Sequence, residues 1–408
     1  LTESPAAQAA GASEFPHYKR NVGLLFVCWA LTSTSMMLLV TVSALVGASL
    51  AENKALLALP IAIQWYASAF FTIPASFIMA RIGRRNGFLL AVTAMTVGAG
   101  LSLLAVYEGS FALFCFASLV VGFATGFQWY YRFAAAEVVP DFFRSRAISL
   151  VLAGGVVAAI VGPTLARFSV DWLAPVNFAG AYLAAIVIQA MIMTILLTVQ
   201  IPRPPRMALR GGRPLVEIAR QPKFMLAVAG GVIGYGVMVL LMSVTPKAME
   251  MCGLSFAEAT HVIQWHILGM YVPAFFTGHL IKRYGAQRIM LIGGLLNIVC
   301  LAIATVDIAF ENFLVSLLLL GVGWNFLYTG ATTLLTETYT LAERAKTQAL
   351  NEFLVFGFVA TATFFSGVTL HVYGWQNLAI GVLPLLLIVL AATVWLMMLS
   401  QREAAAKA

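Results

Sequence analysis

From Val22 to Val46 the chain runs without one charged side chain, and uncharged apolar stretches of similar length recur to its far end. About 20 such residues cross a bilayer as a helix, because in hydrocarbon the backbone must satisfy its own hydrogen bonds. Twelve spans follow: 22–46, 55–79, 87–107, 111–139, 147–168, 178–201, 224–245, 256–281, 289–306, 313–339, 347–370 and 377–401. With 61% hydrophobic and 10% charged residues among 408, no water-soluble core of ordinary composition could hide the apolar surface. The expectation is an all-α membrane protein whose first partner is the lipid bilayer.

Basic loops stay cytoplasmic. With both termini inside, 20 of the 24 Lys and Arg residues fall on the cytoplasmic side; Lys54, Arg167 and Lys247 fall outside and Arg132 falls within a span. The net charge of +8 is therefore a topology signal, and no nucleic-acid partner is expected. The four cysteines show no paired spacing, which argues against a disulfide framework.

The chain is duplicated. Ile63-Gln64-Trp65 returns as Ile263-Gln264-Trp265, a shift of 200, and the same shift carries Glu137 onto Glu337, Arg144 onto Arg344 and Leu150 onto Leu350. Between the halves lies a stretch with six bases against one Glu. The expected organisation is a polar tail (1–20), a six-helix bundle (21–202), a basic cytoplasmic linker (203–223), a second six-helix bundle (224–401) and a short tail (402–408). Two six-helix halves joined by a basic loop suit a central site that opens alternately to each side.

"SFIMARIGRR" after the second span resembles the signature Gly-x-x-x-Asp-Arg-x-Gly-Arg-Arg of the major facilitator superfamily, matched at Arg81, Gly83, Arg84 and Arg85. "GHLIKRYGAQR" echoes it at Gly278, Arg283 and Gly285, and Glu137 before Arg144 and Glu337 before Arg344 also resemble the family pattern. The resemblance implies the superfamily's fold, twelve transmembrane helices in two six-helix pseudo-repeats, and transport in place of enzymatic chemistry. The chain departs from it where the family's acid is replaced by Ala80 and Lys282. Glu137 is then expected to pair with Arg81 or Arg144, and Glu337 with Arg283 or Arg344, in a gating network that includes Arg84. The alternative is that these are solvated interfacial charges worth little.

Carboxylates are nearly absent from span centres, and none stands out as a proton relay. The seventh span instead carries Met238 and Met242, and the eighth His266 and Met270, each pair four apart and so on one helix face. Counted at 1.5 Å per residue from the outer ends, Met238 and His266 lie at similar depth, roughly 12 and 15 Å. Thioether and imidazole suit copper. Met249, Met251 and Cys252 could form an entry cluster at the outer end, and His261 an outer-vestibule residue. Against this, Met pairs also serve as flexible packing and a membrane His as a helix contact. The repeat partners Tyr66 and Phe70 are non-ligands, so the duplicated scaffold does not itself demand ligands there.

Met-x-x-x-Met followed by His-x-x-x-Met in adjacent helices resembles the CcoA-type bacterial copper importers. That resemblance implies Met238, Met242, His266 and Met270 as ligands of a transported copper ion. It also implies import across the bacterial inner membrane to supply cbb3-type cytochrome c oxidase assembly, by a monomer with no resident cofactor. Two rivals remain: a facilitator or exporter of small organic solutes, and a structural or sensory protein on the same fold. In the solute reading Arg132, set among aromatics in the fourth span, recognises substrate; the favoured alternative is that it pairs with Glu137. Gly154, Gly162 and Pro163 in the fifth span are expected to mark close helix packing.

Overall fold

The computed structural model describes residues 17–52, 56, 59–202 and 211–407. The expected tail up to residue 16, Lys54 and the first part of the linker, 203–210, lie outside the described residues.

The described residues form an all-α protein. In chain order the helices are α1 (Tyr18–Leu50), α2 (Leu59–Ile82), α3 (Arg84–Tyr107), α4 (Phe111–Gln128), α5 (Tyr131–Glu137), α6 (Arg144–Ala153), α7 (Gly155–Ser169) and α8 (Ala179–Thr198). They continue as α9 (Leu215–Ala219), α10 (Pro222–Met251), α11 (Phe256–Tyr271), α12 (Ala274–Tyr284), α13 (Ala286–Val306), α14 (Phe310–Leu335), α15 (Arg344–Gly381) and α16 (Leu383–Lys407). Among the described residues, eleven helical segments are long and apolar enough to cross a membrane. The span expected over 256–281 is instead divided into α11 and α12 at Val272-Pro273, since proline lacks the N–H a continuous helix needs and its ring clashes with the preceding turn.

Local sequence sets the helix ends. Ser110 caps α4 by accepting the Leu113 amide at 3.3 Å, and Ser255 and Glu258 close a reciprocal capping box on α11. The turns before α3 and α13 need φ near +88° at Gly83 and +85° at Gly285, a region that side chains with a Cβ avoid. Both glycines belong to the duplicated signature.

The chain folds as two compact units. The first takes in the described residues up to 202 together with Gln348–Gly357, and the second the described residues from 211 to Thr347 and from Phe358 onward. In the first, α4 packs against α2 and α3, and α1 against α7 and α8. A Cβ at Gly154 would lie 2.9 Å from the Phe26 carbonyl oxygen, and one at Gly162 2.7 Å from Met37 Cβ, so these glycines let α7 approach α1 closely. In the second unit α14 is central, packed on α10, α11 and α13. Gly321 of α14 admits the α11 backbone, since a Cβ there would meet the His266 carbonyl oxygen at 2.5 Å.

Within the described part of the linker the chain is pinned by Arg213. Its backbone N–H and Nε donate to Glu343 Oε1 at 2.8 Å each, and Nη2 donates to Glu343 Oε2 at 2.8 Å and to the Thr338 carbonyl at 3.0 Å. Arg213 above all, helped by the Thr340 amide, holds the Glu343 carboxyl far below its ordinary range despite its burial. A depressed carboxyl stabilises the fold at every pH above the ordinary Glu value of about 4.3, and that contribution disappears as pH falls further. Wild type should therefore melt higher than Glu343→Gln by a constant margin from pH 8 to about 5, with the margin closing below about 4. Thermal unfolding of the two proteins in detergent across that range checks this.

Candidate functional site

In the first unit the helix that begins at Phe111 stops at Gln128 and resumes at Tyr131, leaving Trp129 and Tyr130 in a turn. Such a break frees carbonyls that something inside the protein must take up. Arg132 Nη1 donates to the Trp129 carbonyl at 2.9 Å, and Arg132 Nη2 to Glu352 Oε1 at 2.6 Å. Arg132 is 2% exposed and Glu352 is fully buried, so each charge has the other as a close counter-charge. Asn351 Nδ2 donates to the same Glu352 oxygen at 2.7 Å, and the guanidinium lies 4.6 Å from the Phe133 ring centroid. Trp129 stacks on Phe356 at 4.0 Å, and its indole N–H donates to Ser68 Oγ at 3.1 Å.

The sequence left Arg132 either a substrate contact or a partner of Glu137; the structure gives it Glu352. Residues five apart sit about 140° round a helix, so Arg132 and Glu137 diverge. Glu137 is instead gripped by Arg84, with Nη2 at 2.7 Å from Oε1 and Nε at 3.2 Å from Oε2, and Arg84 also donates to Gln348 Oε1. Arg81 is exposed, and Arg144 pairs with Asp141. Glu337 is met by Lys223 at 2.9 Å in an exposed pair worth at most about 1 kcal/mol. Arg283 and Glu337 line one cavity of about 550 Å³ with Lys223 and Arg288, while Arg344 is buried.

The expected copper set is not supported. Among the described residues no group of three or more His, Cys, Asp or Glu gathers that could hold a metal ion, and a copper ion requires its ligands in direct contact. Copper as substrate or partner, and metal binding by this chain, are corrected accordingly. His266 is fully buried, with Nδ1–H donating to the Leu317 carbonyl of α14 at 2.7 Å, as a helix-contact histidine does. Met270 is buried on the same side, its carbonyl accepting from Asn325 Nδ2 at 2.7 Å. Met238 is buried in α10 and Met242 half-buried. Of the expected entry cluster, Met249 is buried, Met251 exposed, and Cys252 half-buried as a free thiol. His261 is exposed and accepts the Trp265 indole N–H at 2.9 Å.

The repeat had suggested that His266 and Met270 replaced Tyr66 and Phe70 at matching places. Tyr66 and Phe70 are 45% and 62% exposed, whereas His266 is fully buried. The packing partners explain it: the α4 glycine Gly122 abuts the Gln64 backbone as the α14 glycine Gly321 abuts that of His266. Spatial equivalence is thus offset from sequence identity, and the apparent ligand substitution compares an outward face with an inward one.

Two aromatic clusters were not legible from spacing. In the first unit Tyr131 stacks on Phe88 at 4.0 Å with parallel planes, and Trp29 lies 6.1 Å from Trp129 and 6.4 Å from Tyr131. In the second, Trp324 stacks on Tyr328 at 5.1 Å and meets Tyr235 and Tyr271 edge-on at 5.3 and 5.8 Å. The indole nitrogens of Trp29 and Trp324 are buried without an acceptor. Flat apolar faces edged by buried donors suit flat, partly polar organic molecules. Glu352 lies toward the cytoplasmic end of its span, and its signal in the sequence is a carboxylate inside an otherwise apolar helix.

The family model described as Major Facilitator Superfamily matches residues 24–264 and 226–408. The riboflavin transporter RfnT of Brucella anthropi is 37% identical over 393 residues, covering 96% of this chain and 98% of that protein. Among solved structures, the E. coli fucose:proton symporter FucP superposes with a TM-score of 0.77 at 14% identity, over 93% of this chain and 98% of that one. The human organic anion transporter MFSD10 superposes at 0.75 and 12% identity, over 92% and 99%. At these identities the two structures are similar to this chain in fold alone.

Proposed function

The chain belongs to the Major Facilitator Superfamily, and we propose that it carries riboflavin, or a closely similar flat heteroaromatic solute, across the bacterial inner membrane by alternating access. As a member of that family it is a multi-pass secondary transporter rather than an enzyme. The observation that carries the substrate reading is the 37% identity to a riboflavin transporter, sustained over 96% of the chain. The physical chemistry of the interior supports it. Stacked aromatic pairs supply faces for a planar ring system, while buried indole and amide groups supply edges that can hydrogen-bond. The small-solute alternative thereby replaces the metal reading.

The direct test is counterflow. Proteoliposomes loaded with unlabelled riboflavin should accumulate labelled riboflavin from outside well above protein-free vesicles, whichever direction the cell uses. Absence of counterflow from monodisperse, correctly inserted protein would exclude riboflavin as substrate.

A further inference from the structure

We propose that Gln128 and Gln189 form a hydrogen-bonding subsite in the first unit that takes the imide edge, C=O, N–H, C=O, of a flavin-like heterocycle. This assignment rests on the transport reading above and names the atoms that would confer its specificity. Gln128 ends α4 beside the Trp129–Tyr130 break and is 3% exposed; Gln189 lies in α8 and is 2% exposed. Both line one small cavity, of about 10 Å³, together with Thr32, Met95 and Tyr131.

The hydrogen bonding there is incomplete. Gln128 Oε1 is buried with no donor, and Gln128 Nε2 is matched to the Met36 thioether at 3.0 Å, a weak acceptor. Gln189 Nε2 donates to Ser35 Oγ at 3.0 Å. A buried amide oxygen left bare has given up its water without a replacement donor, so an apolar residue would serve a purely structural helix better. Within membrane helices, polar groups of this kind mark substrate paths.

The arrangement selects a chemical class. A glutamine amide offers one donor and one acceptor side by side, which complements a neutral edge that alternates acceptor and donor; it neither neutralises an ion nor welcomes a hydrocarbon. Tyr131, on the cavity wall, already lies flat against Phe88, the stacking geometry a planar ring would use. The cavity holds about one water, so a tricyclic solute enters only as the surrounding helices part, and the amides then line the space it enters together with Thr32 and Tyr131.

Riboflavin and N3-methylriboflavin separate the outcomes, because the methyl group removes the imide N–H that Gln128 Oε1 would accept. In counterflow, wild type should show a KM about tenfold lower for riboflavin than for the methylated form, the scale of one lost hydrogen bond in a desolvated site. Gln128→Met should raise the riboflavin KM about tenfold and abolish the preference. Gln128→Asn, which keeps the amide one methylene shorter, should fall between. The comparison of the two substrates on wild type needs no variant and so survives a folding failure of Gln128→Met. Equal KM values on wild type, or a Gln128→Met protein with unchanged KM and preference, would overturn the subsite while leaving riboflavin transport intact. No riboflavin counterflow by wild type would remove the transport reading itself and the subsite with it.

Discussion

Glu352→Ala is expected to lower stability by about 3–5 kcal/mol and to abolish transport, the larger of two effects the interior predicts. The truncation leaves Arg132, 2% exposed, facing the Trp129 carbonyl and the Phe133 ring but without its carboxylate. An uncompensated guanidinium in a membrane interior is far more costly than the pair is stabilising, because both partners have already lost their water. Two further variants separate charge from packing. Glu352→Gln keeps the shape and an acceptor for Asn351, and should fold with a smaller loss. The double variant Arg132→Met, Glu352→Leu should recover most of the lost stability while remaining inactive. Melting curves in detergent and riboflavin counterflow read the two properties; a Glu352→Ala protein that melts like wild type would contradict the buried pair.

A side chain at Gly321 should dislodge α11 from α14. Its Cβ would stand 2.5 Å from the His266 carbonyl oxygen and 2.8 Å from the Met270 amide nitrogen, and backbone atoms cannot rotate away as a flexible side chain would. Overpacking of this kind costs about 1–3 kcal/mol for a methyl and more for a larger group. Gly321→Leu is therefore expected to melt well below Gly321→Ala, itself below wild type. Gly100→Ala in α3 is the contrast: outside its own helix backbone nothing lies within 4 Å of an added Cβ there, and alanine is favoured in a helix by up to about 1 kcal/mol. It should melt at or above the wild-type temperature. A Gly321→Leu protein as stable as wild type would show that α11 does not sit where the structure has it.

Much of the architecture could be read from residues. Charge-free runs near 20 residues long, the bias of Lys and Arg, and the repeated Gly83 and Gly285 signature led to the superfamily fold, which the family model bears out. The helix breaks were less legible. Pro273 stands at an interruption while Pro74, Pro163 and Pro246 lie inside continuous helices, and the turn at Trp129 and Tyr130 carries no proline or glycine, with Arg132 reaching back to a released carbonyl. The copper reading failed at the step from spacing to face. Helical periodicity establishes that His266 and Met270 share a face, and leaves open which neighbour that face meets.

What the sequence by itself determined is the set of elements and their duplication, because apolar length and backbone hydrogen-bonding demand act locally along the chain. Only the tertiary structure decided which polar groups meet. Arg132 and Glu352 are 220 positions apart, Arg84 and Gln348 are 264 apart, and His266 finds a carbonyl 51 residues away. Such pairs depend on the rotation of each helix about its axis, which glycine contacts such as Gly122 on Gln64 and Gly321 on His266 fix to within a fraction of a turn. Because one residue turns a helix by about 100°, a small slip between repeats exchanges a lipid-facing side chain for a buried one.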